Sequence, residues 1–294
     1  MKIRKSKSRI AFEVINYIVL TIFAVICLLP MLHVLFCSVS DPNWLNTQAG
    51  LVLWPNGFTM EGYRRVFSNR QLVRGFLNTF MYVGIGTLIS MVLTIMGGYV
   101  LSRKDLLWKN VIMFLISFTM LFNGGIVPLY VIVNRLHMLD TIWAVMLPTA
   151  MNTFNLIMMR TAFAGIPDSL EESAKLDGAG DWTIMVQIML PLVKATIATI
   201  ALYYIIGNWN SWFPAAMYLK KRDLYPLQLV LREILILNDT TSVSSSGEMA
   251  ANADVFKALV KYCTIIVSSV PMLVVYPFVM KYFKSGVMVG SIKG

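Results

Sequence analysis

A chain of 294 residues that is 57% hydrophobic and only 14% charged, with a mean hydropathy of +0.68, is too apolar for a soluble domain and has the composition of a polytopic membrane protein. Its net charge of +10 suits span-flanking positions against anionic lipid, so membrane lipid is the expected partner and nucleic acid is not. Cys27, Cys37 and Cys263 sit in or beside apolar runs as small hydrophobes. Their spacing gives neither a disulfide framework nor a metal cage.

Residues 1–9 carry Lys2, Arg4, Lys5, Lys7 and Arg9, and are expected to form a basic cytoplasmic N-terminus. The apolar run 10–37 is too long for the core of a signal peptide, and no A-x-A-like site follows it. It reads as an uncleaved first span. Residues 38–75 are polar and aromatic, with Trp44, Trp54-Pro55-Asn56-Gly57 and Tyr63-Arg64-Arg65-Val66-Phe67. They suggest an interfacial belt containing a short amphipathic helix. The second span is 76–101, where Gly84, Gly86, Gly97 and Gly98 offer small faces for close helix contact. Arg103, Lys104 and Lys109 mark a cytoplasmic turn. The third span, 111–133, is interrupted by Asn123-Gly124-Gly125 and by Pro128. Such a break is either a packing kink or the lining of a polar path. After an external turn at 134–140, the fourth span covers 141–159 and holds Asn152, Thr153 and Asn155.

The stretch 165–191, GIPDSLEESAKLDGAGDWTIMVQIMLP, concentrates Asp168, Glu171, Glu172, Lys175, Asp177 and Asp181 between two spans. Asp168 reads as a helix N-cap with Glu171 three residues on, a carboxylate version of the capping box. Gly178 and Gly180 read as the stop. The pattern predicts a helix, a turn and a second amphipathic run outside the hydrocarbon, an element suited to a groove on a partner. The alternative is a solvated acidic loop that only joins two spans.

The fifth span, 192–217, ends in Asn208-Trp209-Asn210-Ser211-Trp212. Residues 219–257 are expected outside. Their Ser/Thr/Asn/Ala tract, Asn238 to Ala253, lacks core-forming residues and reads as a flexible loop. The sixth span is 258–283, with a cytoplasmic tail at 284–294. In this orientation 14 of the 25 Lys and Arg residues lie inside, mostly on shorter segments. Lys220-Lys221-Arg222 runs against that trend. The fold class is thus an all-α membrane protein with six transmembrane helices and both termini cytoplasmic.

No glycine in the chain is followed by lysine, so a P-loop is absent. His33 and His137 are the only histidines and belong to no H-E-x-x-H; no G-x-S-x-G occurs either. The expectation is no catalytic residue, no metal site and no enzyme activity. Scarce carboxylates inside the spans weigh against an ion- or proton-coupled transporter working alone, which remains the alternative. A pyranose offers one apolar face and many hydroxyls. Asn152, Asn155, Asn208, Trp209, Asn210 and Trp212 are therefore the candidate substrate-pathway residues. Interface anchoring of the tryptophans and helix–helix hydrogen bonding by the asparagines are the competing roles.

The 165–191 stretch resembles the cytoplasmic EAA loop of ABC importer permeases, E-A-A, three residues, G, nine residues, I-x-L-P. Glu172-Ser173-Ala174, Gly178, Ile188 and Leu190-Pro191 stand at that spacing, with Ser173 replacing the middle alanine. The surrounding S-L-E-E-x-A-x-x-D-G-A is similar to the maltose-type branch. WPNGFTMEGYRRVF with Leu77-Asn78-Thr79, and the ending GVMVGSIKG, resemble the first external loop and the tail of the same family. The resemblance implies a type I permease fold in the bacterial cytoplasmic membrane. It implies ATPase coupling through Glu171, Glu172, Ser173, Ala174, Asp177, Gly178 and Ala179. The implied partners are a second homologous permease, two cytoplasmic ATPase subunits holding ATP and Mg, an extracytoplasmic solute-binding protein and a carbohydrate, with no cofactor on this chain. By position, 219–257 matches the family's loop that probes the binding protein; a plain surface loop is the other reading.

Overall fold

The computed structural model describes residues 6–236 and 253–291, and its regular structure there is helical throughout. In chain order the helices are α1 (Lys7–Ser38), α2 (Pro42–Thr47), α3 (Glu61–Ser68), α4 (Arg70–Ser102), α5 (Lys109–Leu121), α6 (Ile126–Arg135), α7 (Ile142–Met146), α8 (Thr153–Ala164) and α9 (Asp168–Leu176). After them, α10 (Asp181–Thr183) runs through a π-helical stretch, Ile184–Met189, into α11 (Leu190–Leu192). The series ends with α12 (Lys194–Trp209), α13 (Phe213–Tyr218), α14 (Leu227–Ile236) and α15 (Ala253–Ser291).

Three stretches are each long and apolar enough to cross a bilayer alone: α1, α4 and Phe256–Pro277 of α15. Two bent pairs bring the number to five if each is one span: α5 with α6 at 114°, and Asp181–Leu192 with α12 at 85°. The apolar run 111–133 thus falls on two helices rather than one. Gly125 sits at φ +89°, a conformation that L side chains resist, and Asn123 Oδ1 accepts the Gly125 N–H at 2.9 Å. The run 141–159 is divided between α7 and α8. Asn152 caps the restart, its Oδ1 accepting the Asn155 N–H at 3.1 Å.

The chain forms two units, Met1–Arg70 with Glu233–Ser269, and Gln71–Arg232 with Val270–Gly294. In the first, the apolar window of α1 has no buried residue, and only Cys37 and Ser38 at its end are enclosed. That end is tied locally. His33 Nδ1 accepts the Val52 N–H at 2.9 Å, Ser38 Oγ meets Tyr63 Oη at 2.7 Å, and Cys263 Sγ donates to the Ser38 carbonyl at 3.1 Å. Asp41 Oδ1 caps α2 by accepting the N–H groups of Asn43 and Trp44.

In the second unit α4 is the spine. Gly86 faces Asn208, and Gly97 and Gly98 face Leu156 and Met159, whereas Gly84 faces open space. Close backbone approach through small residues is what holds helices together where lipid is as apolar as the helix surface. Polar bonds add to it: Thr94 Oγ1 pairs with Tyr204 Oη at 2.7 Å, and Asn208 Nδ2 donates to Thr87 Oγ1 at 3.2 Å.

One face near the start of α4 reads the backbone of 222–227. Gln71 donates to the Arg222 carbonyl, Asn78 to those of Asp223 and Tyr225, and Tyr82 to that of Leu224, while Thr79 Oγ1 accepts the Leu227 N–H. Arg74 pairs with Asp223. Residues 219–236, the first part of the segment expected outside, are built structure, and Leu227, Val230, Leu231 and Ile234 are buried. Sequence composition misleads here because the ordering partners lie about 150 residues upstream. The Ser/Thr/Asn tract lies outside the described residues up to 252, as do 1–5 of the basic start and 292–294 of the tail.

Asp140 pins the entry to this segment. It stands at φ 60°, which Asp tolerates better than most residues, and its Oδ1 accepts the Lys220 and Lys221 N–H groups at 2.9 Å each. These bonds, Lys221's first, hold the carboxyl below the usual range. A lowered carboxyl pKa contributes order above the unfolded value, lost as pH falls through the folded one. The turn should therefore hold unchanged between about pH 5 and 8. Asp140→Gly keeps the backbone conformation and deletes the acceptor. Tryptic cleavage at Lys220–Arg222 in detergent is expected to rise about tenfold in that variant, with Asp140→Asn intermediate.

Candidate functional site

Two places in the second unit bring the predicted site residues together. The first is the turn around α9. This helix starts at Asp168 with Pro167 as its cap and without a side-chain cap bond. The expected Asp168–Glu171 capping box does not form, because tertiary partners take both carboxylates. Asp168 pairs with Lys104; Glu171 pairs with Arg103 and, at 2.9 Å, with Lys175. Both acids still lie in the first turn, where the helix dipole favours them. Donating hydrogen bonds to these carboxylates raises Lys104 and Lys175 above the ordinary lysine range. For a raised cation the contribution is present below 10.5 and is lost as pH rises through the folded value. Both pairs therefore persist at neutral pH.

The end of α9 is a Schellman turn. Ala179 N–H donates to the Ala174 carbonyl at 2.9 Å and Gly178 N–H to that of Lys175 at 3.0 Å. Gly178 takes φ +80°. The turn sorts the motif residues. Ala174 is buried in a cluster with Tyr99, Met159, Phe163, Ile184 and Met189, and Ala179 packs beside it. Glu171 points inward to Arg103. Glu172, Ser173, Asp177 and Gly178 are exposed. With them stand two apolar side chains that the sequence reading passed over, Leu176 at 89% and Trp182 at 67% exposure. Their signal was available: two large apolar residues in the most charged stretch of the chain. Arg103 and Lys104 were read only as topology markers, yet they hold the element.

The second place is a recess of about 450 Å³ lined by Thr149, Asn152, Phe154, Asn155, Tyr203, Tyr204, Gly207, Asn208 and Ser211. Three of the six predicted pathway residues, Asn152, Asn155 and Asn208, line it. The other three do not. Trp209 is buried with its ring edge-on to Phe80, centroids 5.6 Å apart. Asn210 turns back to the Ile206 carbonyl at 3.0 Å. Trp212 lies under the Arg232 guanidinium at 3.6 Å. Tyr203 and Phe154 supply exposed aromatic surface instead, at 42% and 54%. The lining holds amides, hydroxyls and aromatic faces and no ionisable carboxylate or cation. It suits a hydroxyl-rich ligand and offers no acid–base pair.

Apolar helices, a polar recess among them and an exposed charged turn define a multi-pass membrane permease. The comparisons with known proteins agree. A family described as "binding-protein-dependent transport system inner membrane component" matches residues 55–246. The polygalacturonan/rhamnogalacturonan transport system permease protein YtcP of Bacillus subtilis is 40% identical, over 96% of this chain and 98% of its own length. The arabinooligosaccharides transport system permease protein AraQ of the same species is 24% identical, over 94% and 96%. A crystal structure of a bacterial ABC transporter involved in importing the acidic polysaccharide alginate contains a chain with TM-score 0.87 and 31% identity. The match covers 96% of this chain and all of that one. The chain belongs to the binding-protein-dependent transport system inner membrane component family, and the bacterial cytoplasmic membrane is its place.

Proposed function

We propose that this permease is one of two transmembrane subunits of an ATP-driven ABC importer for an acidic oligosaccharide. The observation that carries the proposal is the α9 turn. It exposes Glu172, Ser173, Leu176, Asp177 and Trp182 around a glycine-fixed turn, at the EAA spacing. A rigid element with apolar anchors and directional charge is what a groove on a soluble subunit needs. The ATP and Mg belong to two partner ATPase subunits, and this chain binds no cofactor. A second permease completes the pathway. Both termini and the α9 turn face the cytoplasm, and the recess faces the path between the two permeases. The substrate class is supported by the relatives' names, two of which concern uronate-rich polysaccharides. It is also supported by a recess without carboxylates, where nothing repels a uronate. Movement requires that the two states of the pathway bind the sugar differently, not chemistry on this chain.

The test is a tagged pull-down from gently solubilised membranes, with uptake measured on the same preparation. A second permease and a P-loop ATPase should co-purify. Glu172→Lys should weaken ATPase capture about tenfold without loss of the permease. Tyr203→Ala with Asn208→Ala should lower uptake about tenfold, or about 1.4 kcal/mol. Unchanged uptake in the double variant would remove the recess from the pathway. Uptake by the lone chain, collapsing with an ion gradient, would replace the importer with a secondary transporter.

A further inference from the structure

The α9 turn is joined to the rest of its unit by two routes. Along the chain, the route to α12 runs through the π-helical stretch Ile184–Met189 and then the 85° break at Val193. A π-helical stretch inside a helix is rare and occurs frequently at functional sites. Across space, the route to the end of α4 centres on one guanidinium, beside the Tyr99 hydroxyl, which donates to the Asp181 carbonyl at 3.5 Å. Arg103 pairs with Glu171 on α9 and with Asp181 at the start of α10, so it grips both sides of the Gly178 turn. It also donates to Tyr99 Oη at 3.2 Å, lies 5.4 Å over the Tyr99 ring and reaches Asp105 at 3.7 Å. Its side chain is 13% exposed and that of Glu171 20%. Such enclosure makes loss of one partner expensive for the other. Lys104 adds an exposed pair to Asp168 beside it. Among the described residues no hydrogen bond or ion pair joins α9 to α12. Their contact is the apolar cluster, which also includes Tyr99.

We propose that Arg103 is the positioning residue that carries movement of the α9 turn into α4, the spine that bears one wall of the polar bonding to Tyr204 and Asn208. Along the chain, the π-helical stretch and the break at Val193 separate the turn from α12. This inference rests on the reading of α9 as the ATPase-coupling element. It adds which span receives the motion and through which side chain.

The test uses the complete importer, with its partner permease, ATPases and binding protein in proteoliposomes. ATP hydrolysis and sugar uptake are measured together. In Arg103→Met, hydrolysis should stay within about twofold of native while uptake falls about tenfold, raising the ATP used per sugar tenfold. Arg103→Lys, which keeps charge but loses the fork that spans Glu171 and Asp181, should fall between. The decisive arm is mechanical. In the Arg103→Met background, Lys104→Cys and Asp168→Cys are joined by a short thiol cross-linker, which re-attaches the turn to the end of α4. Recovery of uptake supports the proposal. Uptake and hydrolysis falling in proportion, or no recovery on cross-linking, overturns it. If Arg103→Met fails to assemble, the exchange Arg103→Glu with Glu171→Arg decides: a native ATP-to-sugar ratio supports the latch and an elevated ratio overturns it. A native preparation without any ATPase would instead overturn the coupling reading itself, a result distinct from every variant outcome.

Discussion

Gly98→Val is expected to be the most destabilising single substitution in the second unit. A Cβ at this position would lie 2.6 Å from Met159 Cγ, 2.9 Å from Met159 Cβ and 3.1 Å from the Arg160 backbone nitrogen. The Met159 Cγ could swing away. Its Cβ and the Arg160 nitrogen could not, so α4 and α8 would have to separate. Valine then adds two methyl groups to the clash. Overpacking of this kind costs about 1–3 kcal/mol and sometimes more. The loss is greater than the local clash, because helix pairs in lipid depend on close packing rather than on expelling water. Separation would also stretch the bond from Arg160 Nε to the Leu101 carbonyl, at 3.3 Å, that satisfies an end of α4. Thermal unfolding of the purified permease in detergent checks this. Gly84→Val is the matched control, on the same helix with nothing within 4 Å of the added carbon. It should stay within about 0.5 kcal/mol of native. Equal destabilisation by both would mean that the α4–α8 contact does not set the cost.

What the sequence made legible, and what it hid, divides along physical lines. The apolar runs and the α9 turn were visible because each rests on local pattern: run length, charge clustering and residues at fixed offsets. The 114° bend inside 111–133 spans the non-helical residues 122–125, from an extended Phe122 to Gly125 at positive φ, and a glycine in an apolar run is equally consistent with a kink. The Asp168 cap failed for the opposite reason. The local rule was sound, but Lys104, 64 residues away, outcompeted it. Half of the pathway set, Trp209, Asn210 and Trp212, lies away from the recess for a geometric reason. On a helix of 100° per residue, Trp209 points about 100° from Asn208, while Tyr204 and Ser211 lie within about 60° on its other side. Grouping Asn208-Trp209-Asn210 as one set mixed opposite faces of α12. The recess takes Asn208 with Tyr204 and Ser211, and the tryptophan goes to Phe80. Asn152 and Asn155 share the recess because one caps the other at the start of α8. The structured segment 219–227 could not be read locally at all, since the residues that order it are Asp140 and side chains of α4.

Gly178 gives the sharpest expectation for function, and it separates conformation from space. No atom lies within 4 Å of where a Cβ would be placed, so crowding inside this chain does not require glycine. The φ of +80° does. An L residue held there costs about 1–2 kcal/mol, more for a β-branched one, and Asn is the mildest replacement. The Schellman bonds to Ala174 and Lys175 depend on that angle, so a residue that refuses it unwinds the last turn of α9. Leu176 and Asp177 then move relative to Glu172 and Trp182. The expected order of uptake is native, Gly178→Asn, Gly178→Ala, Gly178→Val, with valine down at least about tenfold. Thermal stability of the isolated permease should change far less than uptake, because the turn is exposed and buries little. Gly180→Val is the control, two residues away at an ordinary φ of −74° and also with open space around it. It should leave uptake close to native. The ranking distinguishes two causes. If strain governs, asparagine outperforms alanine although it is larger. If the ATPase groove simply excludes any side chain at this position, alanine outperforms asparagine. In that case Gly178 is a contact residue of the docked state rather than the hinge pin of the turn.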